Sequence, residues 1–366
     1  MQSSYKRLGD YIRQVDVRNR DLTVTELVGL TIDKAFIPSV ANTIGTDLSS
    51  YKVISHNQFA CSLMQVSRDR KMPVAIFKGD KAIMSPAYPM FEVSREDELM
   101  PEFLMMWFSR KEFDREVTFW AVGGVRGSLT WEDFMNLHIP VPPIEDQRKI
   151  VAEYQAVERR IENNRRLIAT LEATAQTIYR KMFVDNIDPN NLPEGWHMGS
   201  ITELSDLKVG GDKPPIFSAS LTQECKIPIY SNGVIDEGLY GYTNTASISS
   251  PSFTISARGT IGKCFLRLKS YFSIVRLISV VPKNSDTLLY QFFYFSHKTI
   301  EGDGSVQNQL TAPFLASEKM IIPTLNSMVK FNSKTLHIYR DIENINTEIQ
   351  ILEQILSLFL LKLSKL

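Results

Sequence analysis

Two stretches of this chain repeat apolar residues in alternating steps of four and three, a pattern that few folds other than long paired helices can bury. In the first, Ile150, Tyr154, Val157, Ile161, Asn164, Ile168, Leu171, Ala175, Ile178 and Met182 keep the step without a break. In the second, Met328, Phe331, Thr335, Ile338, Ile342, Ile345, Ile349, Leu352, Leu356, Phe359 and Leu363 do the same. This is the a/d seam of a coiled coil. At about 1.5 Å of rise per residue the seams run roughly 48 and 54 Å, so they match in length. The simplest arrangement buries each against the other in the antiparallel sense, about a pseudo-two-fold axis. Asn164, polar on an apolar seam, is expected to set register at some cost in stability. The plainer alternative is a pair of amphipathic helices, each lying on its own domain.

The signals that precede the seams are also duplicated. Gly123, Val125, Leu129, Thr130, Ile139 and Pro140 lead into the first; Gly304, Val306, Leu310, Thr311, Ile322 and Pro323 lead into the second. The order is therefore globule, helix, globule, helix, with expected boundaries at 1–143, 144–185, 186–323 and 324–366. Residues 51–63 and 72–77 in the first globule, and 252–255, 263–268 and 272–281 in the second, have the β-branched and aromatic content of strands. Residues 102–118 and 287–300 carry aromatics at helical spacing, which predicts helices whose aromatic stripe is core. Residues 185–195 read as a linker. The fold class is α+β, with two mixed α/β globules separated by a long helical pair.

Composition narrows the function without deciding it. The chain of 366 residues has room for two domains, and 43% hydrophobic content is ordinary for a soluble protein. Its first twenty residues are too polar for a signal peptide, and the run 355–361 is too short to span a membrane. Three widely spaced cysteines, Cys61, Cys225 and Cys264, read as reduced thiols of a cytoplasmic protein. With no C-x-x-C and scattered histidines, no metal site is expected.

Net charge is zero, but residues 238–285 hold Arg258, Lys263, Arg267, Lys269, Arg276 and Lys283 and no carboxylate. Residues 68–81 carry a smaller excess, with Arg68, Arg70, Lys71, Lys78 and Lys81 against Asp69 and Asp80. A local cationic excess in each half is what a grip on phosphates needs. Residues 257–264, A-R-G-T-I-G-K-C, end like a phosphate-binding loop. They lack the opening glycine and the Ser or Thr after the lysine, so nucleotide hydrolysis is not expected. No G-x-G-x-x-G follows a strand, and no N-P-P-[YF] or D-P-P-[YF] is present, so neither a dinucleotide nor an amino-methyltransferase site has a candidate loop.

The segment 137–151, L-H-I-P-V-P-P-I-E-D-Q-R-K-I-V, resembles the I-P-x-P-P-x-x-x-Q-x-x-I-V start of the central helix in specificity (S) subunits of type I restriction-modification systems. Residues 230–234 (Y-S-N-G-V) and 256–262 (S-A-R-G-T-I-G) are similar to segments of that family's target-recognition domains. The likeness covers the whole chain in order, although 322–328 lacks the double proline and the glutamine. It implies two target-recognition domains with pseudo-two-fold symmetry, each reading half of a bipartite asymmetric DNA site. The antiparallel helices would set the spacing. It implies no catalysis and no cofactor in this chain. Two modification subunits would methylate adenine with S-adenosylmethionine, and restriction subunits would translocate and cut DNA with ATP and magnesium. Major-groove reading points to Gln65, Arg68, Arg70, Lys71 and Arg126 in the first globule and to Asn232, Arg258, Lys263, Gln307 and Asn308 in the second, because Arg and Lys suit guanine while Asn and Gln suit adenine. Two competing readings are a coiled-coil scaffold that binds no specific sequence, and an enzyme with unrecognised carboxylates.

Overall fold

A computed structural model of the protein describes residues 5–39, 45–64, 66–123, 128–299 and 309–364. It divides into two compact units, Met1–Asn164 with Glu348–Leu366, and Arg165–Thr347. Each unit holds one globule and part of both long helices, so the division falls inside the helices rather than at their ends.

In the first unit the entry strand Tyr5–Arg7 pairs antiparallel with the exit strand His138–Pro140, which brings the two ends of the globule together. The main sheet has four strands in the order Ile12–Val15, Met90–Val93, Phe59–Cys61, Val74–Ile76. Two smaller hairpin-like sheets accompany it, Val28–Leu30 with Phe36–Pro38 and Lys52–Ser55 with Lys81–Met84. The expected strand region 51–63 is two strands, broken where Asn57 takes left-handed backbone at φ 60°. The expected helix 102–118 is likewise two, Pro101–Phe108 and Lys111–Gly123. Between them the buried Arg110 lies 3.1 Å over the Trp107 ring and donates to Ser364 Oγ at 2.8 Å. Phe59 and Phe91 stack at 5.0 Å in the core, and Phe108 and Phe134 close around them.

The second unit repeats the plan. Its entry strand His197–Ser200 pairs antiparallel with the exit strand Lys319–Ile322. Its main sheet runs Ser205–Val209, Ile278–Pro282, Ser252–Ile255, Cys264–Arg267, again with the first strand beside the last and a hairpin beyond. A three-stranded sheet, Leu239–Thr243, Ile227–Tyr230 and Phe272–Ser273, stands apart from it. The helix Leu288–His297 supplies the aromatic stripe, and both Tyr290 and Phe293 are buried. The expected strand 272–281 is interrupted by two consecutive left-handed residues, Val275 at φ 53° and Arg276 at φ 61°.

The duplicated Leu-Thr signal has a local cause. Leu129 and Leu310 are buried, and the following threonines cap short helices. The Thr130 side chain accepts from Asp133 N at 3.0 Å ahead of Trp131–Met135. That of Thr311 accepts from Phe314 N at 3.3 Å ahead of Ala312–Ser317. Such a cap satisfies a helix N–H that would otherwise lack a partner. Gly123 of this element ends the helix Lys111–Gly123, while Val125, Gly304 and Val306 lie outside the described residues.

The long helices are Ile144–Phe183, of 40 residues, and Leu325–Leu363, of 39. Every residue of both seams is buried or half-buried. In the first unit the segments run antiparallel: the Tyr154 and Phe359 rings meet at 6.5 Å, and one to two turns further on Arg160 Nε lies 2.8 Å from Glu348. Asn164 is buried there. In the second unit Phe331 meets Tyr179 at 5.9 Å and Phe183 at 5.3 Å, while burial and the charge of Glu172 push the Tyr339 phenol up. That pairing is antiparallel too. The two expectations for these helices hold together, because each pairs along its seam and also enters globule cores at its ends. Val151 and Leu363 are buried in the first core, and Ala175, Tyr179, Phe183, Phe331 and Ile338 in the second. Full burial of a side chain of this size stabilises by about 1.5–3 kcal/mol.

One polar residue fixes where the first long helix starts. Gln147 is wholly buried; its Oε1 accepts from Met100 N at 2.9 Å, and its Nε2 donates to Glu98 O at 2.7 Å and Pro142 O at 2.8 Å. Gln147→Ala strips partners from three backbone groups and leaves a gap at a wholly buried site, and is expected to destabilise the first unit by about 2–4 kcal/mol in denaturant unfolding. All three cysteines are free and buried, and burial pushes the Cys264 thiol up to about 12 and that of Cys61 higher still. A thiol reagent at pH 8 should therefore label none of the three on the native timescale and all three after unfolding.

Candidate nucleic-acid interface

In the second unit the hairpin tips and the strained turn form one cluster. The loop 256–263 joins the strands Ser252–Ile255 and Cys264–Arg267, closed by Ser256 N to Lys263 O at 2.9 Å. The sequence that resembles a phosphate-binding loop is therefore a β-hairpin tip, followed by a strand and not by the helix such a loop requires. The loop 231–238 is the tip of the neighbouring hairpin, closed by Ser231 N to Gly238 O at 2.8 Å. Asn232 ties these together. Its Oδ1 accepts from Ala257 N at 2.7 Å and its Nδ2 donates to Val275 O at 2.6 Å. Val275 N and Arg276 N in turn donate to Gly211 O and Gly210 O at 2.9 and 2.8 Å. Gly210 is needed for this approach, since a Cβ there would stand 2.8 Å from the Ile274 backbone.

A concavity of about 420 Å³ lies among these loops, and Lys213, Arg258 and Arg276 bring positive charge to its wall beside Asp212. Lys213 Nζ sits 3.3 Å over the Phe217 ring, and Arg258 is steadied by Gln309 Oε1 at 3.2 Å. Lys263 is exposed on the same tip as Arg258.

The six cations of residues 238–285 separate by role. Buried Arg267 bonds Glu237 at 2.8 Å, Lys269 pairs with Glu343 at 3.1 Å, and Lys283 donates to Thr202 O at 2.6 Å. Arg258, Lys263 and Arg276 remain exposed at loops. Of the residues expected to read bases, Arg258 and Lys263 lie in the cluster. Asn232 does as well, but both ends of its amide are engaged by backbone, so it positions its neighbours. Gln307 and Asn308 lie outside the described residues. Lys213 and Arg276 were not among the expected reading residues. The glycine pair 210–211 ahead of Lys213 was the available signal for the first, and nothing in sequence announces a left-handed Val-Arg pair.

In the first unit Arg68, Arg70 and Lys71 share one exposed turn, with Arg70 left-handed at φ 52°. Acids offset much of their charge: Arg68 bonds Asp69 at 2.7 Å, Lys71 lies 3.2 Å from Asp33, and nearby in sequence Lys78 pairs with Glu102 at 2.7 Å. Gln65 and Arg126 lie outside the described residues. A concavity of about 610 Å³ at the foot of the long helix, lined by Phe36, Phe77, Lys78, Met106 and Tyr154, contains none of Arg68, Arg70 and Lys71. Burial raises the carboxyl of Glu158 on its wall. Among the described residues no helix is long and apolar enough to cross a membrane, and no group of His, Cys, Asp or Glu is placed to hold a metal ion.

Asn232→Ala removes two short bonds at once and leaves an N–H and a carbonyl to find other partners. The variant should lose about 1–3 kcal/mol, with faster amide exchange at Ala257 in hydrogen-exchange measurements.

The family model for the type I restriction modification DNA specificity domain matches residues 67–173 and again 193–356, well over half of the chain. A Mycoplasma pneumoniae protein named as a type I specificity subunit is 29% identical over 204 residues, 55% of this chain and 55% of that protein. A second from the same organism is 35% identical over 117 residues, 32% of this chain and 35% of that protein. The chain thus spans about half or less of the length of these relatives. The crystal structure of a type I restriction-modification system S subunit from M. genitalium superposes with a TM-score of 0.63 at 13% identity, covering 98% of this chain and 95% of that one. That likeness establishes a shared fold. With one family match in each half and the fold in common, this chain belongs to the type I restriction-modification DNA specificity family.

Proposed function

We propose that this chain is the DNA-reading subunit of a type I restriction-modification assembly, acting in the cytoplasm. Each unit reads one half of a bipartite asymmetric site in the major groove, where the four base pairs differ. The long helices set the distance between the halves, and their outward flanks dock two modification subunits. Methylation with S-adenosylmethionine, and translocation and cleavage with ATP and magnesium, belong to modification and restriction subunits. The observation that carries this reading is the loop cluster of the second unit: exposed Arg258 and Lys263 on a hairpin tip that Asn232 ties to the turn of Arg276, with Lys213 on the same concavity. Rigid, cationic, hydrogen-bonding tips are what register on phosphates and contact base edges require. Because the two globules differ in sequence, the two half-sites should differ.

Selection of bound duplexes from random DNA by this chain with its modification partner tests the proposal. It predicts a bipartite asymmetric consensus, in which exchanging residues 1–143 for those of a relative changes one half only. Enrichment of nothing, which a scaffold would give, or of a contiguous palindrome would overturn it. On the selected site, Arg258→Ala is expected to weaken binding by about 1–3 kcal/mol and to relax one position of the half read by the second unit.

A further inference from the structure

The tip 231–238 carries Asp236 and Glu237 and no cation of its own, so what it offers DNA is not positive charge. On this tip Ile235 is 81% exposed, with Val234 beside it at 46%. A single exposed aliphatic is ordinary on a protein surface. Ile235 differs in how it is held. The two residues that follow it, Asp236 at φ 48° and Glu237 at φ 55°, are both left-handed, and Gly238 closes the turn at φ 82°, where a Cβ would stand 2.4 Å from Ser231 O. Arg267 braces this turn from beneath. It is buried, donates to Glu237 O at 2.6 Å and to the Glu237 carboxylate at 2.8 Å, and lies 3.5 Å over the Tyr230 ring. Through Asn232 the same tip is bonded to the Arg258 hairpin and to the second left-handed pair, Val275 and Arg276. Strain of this kind persists only where the surroundings enforce it, and it collects at working surfaces. The outcome is an aliphatic side chain held on a braced turn, whose Asn232 is bonded to the hairpin that carries Arg258 and Lys263.

We propose that Ile235 is a specificity-determining contact that packs on the 5-methyl group of a thymine. This rests on the reading of the second unit as a DNA-binding surface. The side chain has no donor or acceptor, and in the major groove the apolar group that distinguishes one base pair from another is the thymine methyl. Contact there removes both apolar surfaces from water, whereas a cytosine or a uracil at that position leaves Ile235 facing a gap. Arg267 is the positioning residue, since it touches no base and fixes the turn that aims Ile235.

The test uses the full chain with its modification partner on the selected duplex, replacing each thymine of the half read by the second unit with deoxyuridine, one at a time. At one position the wild type should lose about fourfold in affinity, the value of one buried methyl. Ile235→Ala should bind the unmodified site more weakly and be indifferent to deoxyuridine there, while Ile235→Leu retains the sensitivity. Arg267→Met should keep its affinity for random duplex and lose the thymine preference. A wild type blind to every methyl deletion, an Ile235→Ala variant as sensitive as wild type, or a half-site with no thymine on either strand would overturn the assignment while the bipartite consensus stands. Absence of any selected consensus would instead overturn the reading on which it rests.

Discussion

An apolar seam about ten residues deep on a 40-residue helix cannot face water, and the rest of this molecule is arranged around covering it. In the first unit the covering segment is 348–364, and in the second it is 325–347. At the helix ends the globules take over, so that Val151 and Leu363 are core residues of one globule, and Tyr179 and Phe331 of the other. Helix and globule are thus parts of a single hydrophobic core within each unit. This coupling ties each globule to the helix segments of its own unit. Gln147 shows how tightly the joint is specified, since one buried amide satisfies three backbone groups from the two segments that meet there.

The exposed loops follow the opposite logic. The loops of the second unit depart from ideal geometry at Asp236, Glu237, Val275 and Arg276, and they are held by buried or bridging polar groups, Arg267 and Asn232. Stability is given up locally so that a few side chains are presented without freedom to relax. That design suits a surface that must discriminate among similar ligands, because a flexible tip would adapt to the wrong base as readily as to the right one.

The heptads were legible because their period is local: each residue of the pattern depends only on neighbours three and four positions away. The duplicated Leu-Thr was legible as a repeat, and its meaning, a buried leucine followed by a helix cap, emerges from geometry. The strand break at Val275–Arg276 was not readable, since no glycine marks it and tertiary bonds to Gly210, Gly211 and Asn232 impose the left-handed turn. For the candidate interface, charge counting pointed to the region of the second globule where Arg258, Lys263 and Arg276 are exposed at loops. It could not separate Arg258 from Arg267, which differ in burial and partner rather than in type. Asn232 has the chemistry to read adenine, and the fold engages that chemistry internally. The first globule's cations looked stronger in sequence than they are in space, because Asp33 and Glu102 arrive from distant segments.

Under the proposed function, the paired helices would set the distance between two unlike reading heads. Inserting one heptad into each long helix, in phase with both seams, lengthens the pair by about 10 Å, close to three base pairs of duplex. Site selection with that variant and its modification partner should return both half-sites unchanged and the unread spacer longer by about three base pairs. An unchanged spacer in a variant that still folds and binds would contradict the account.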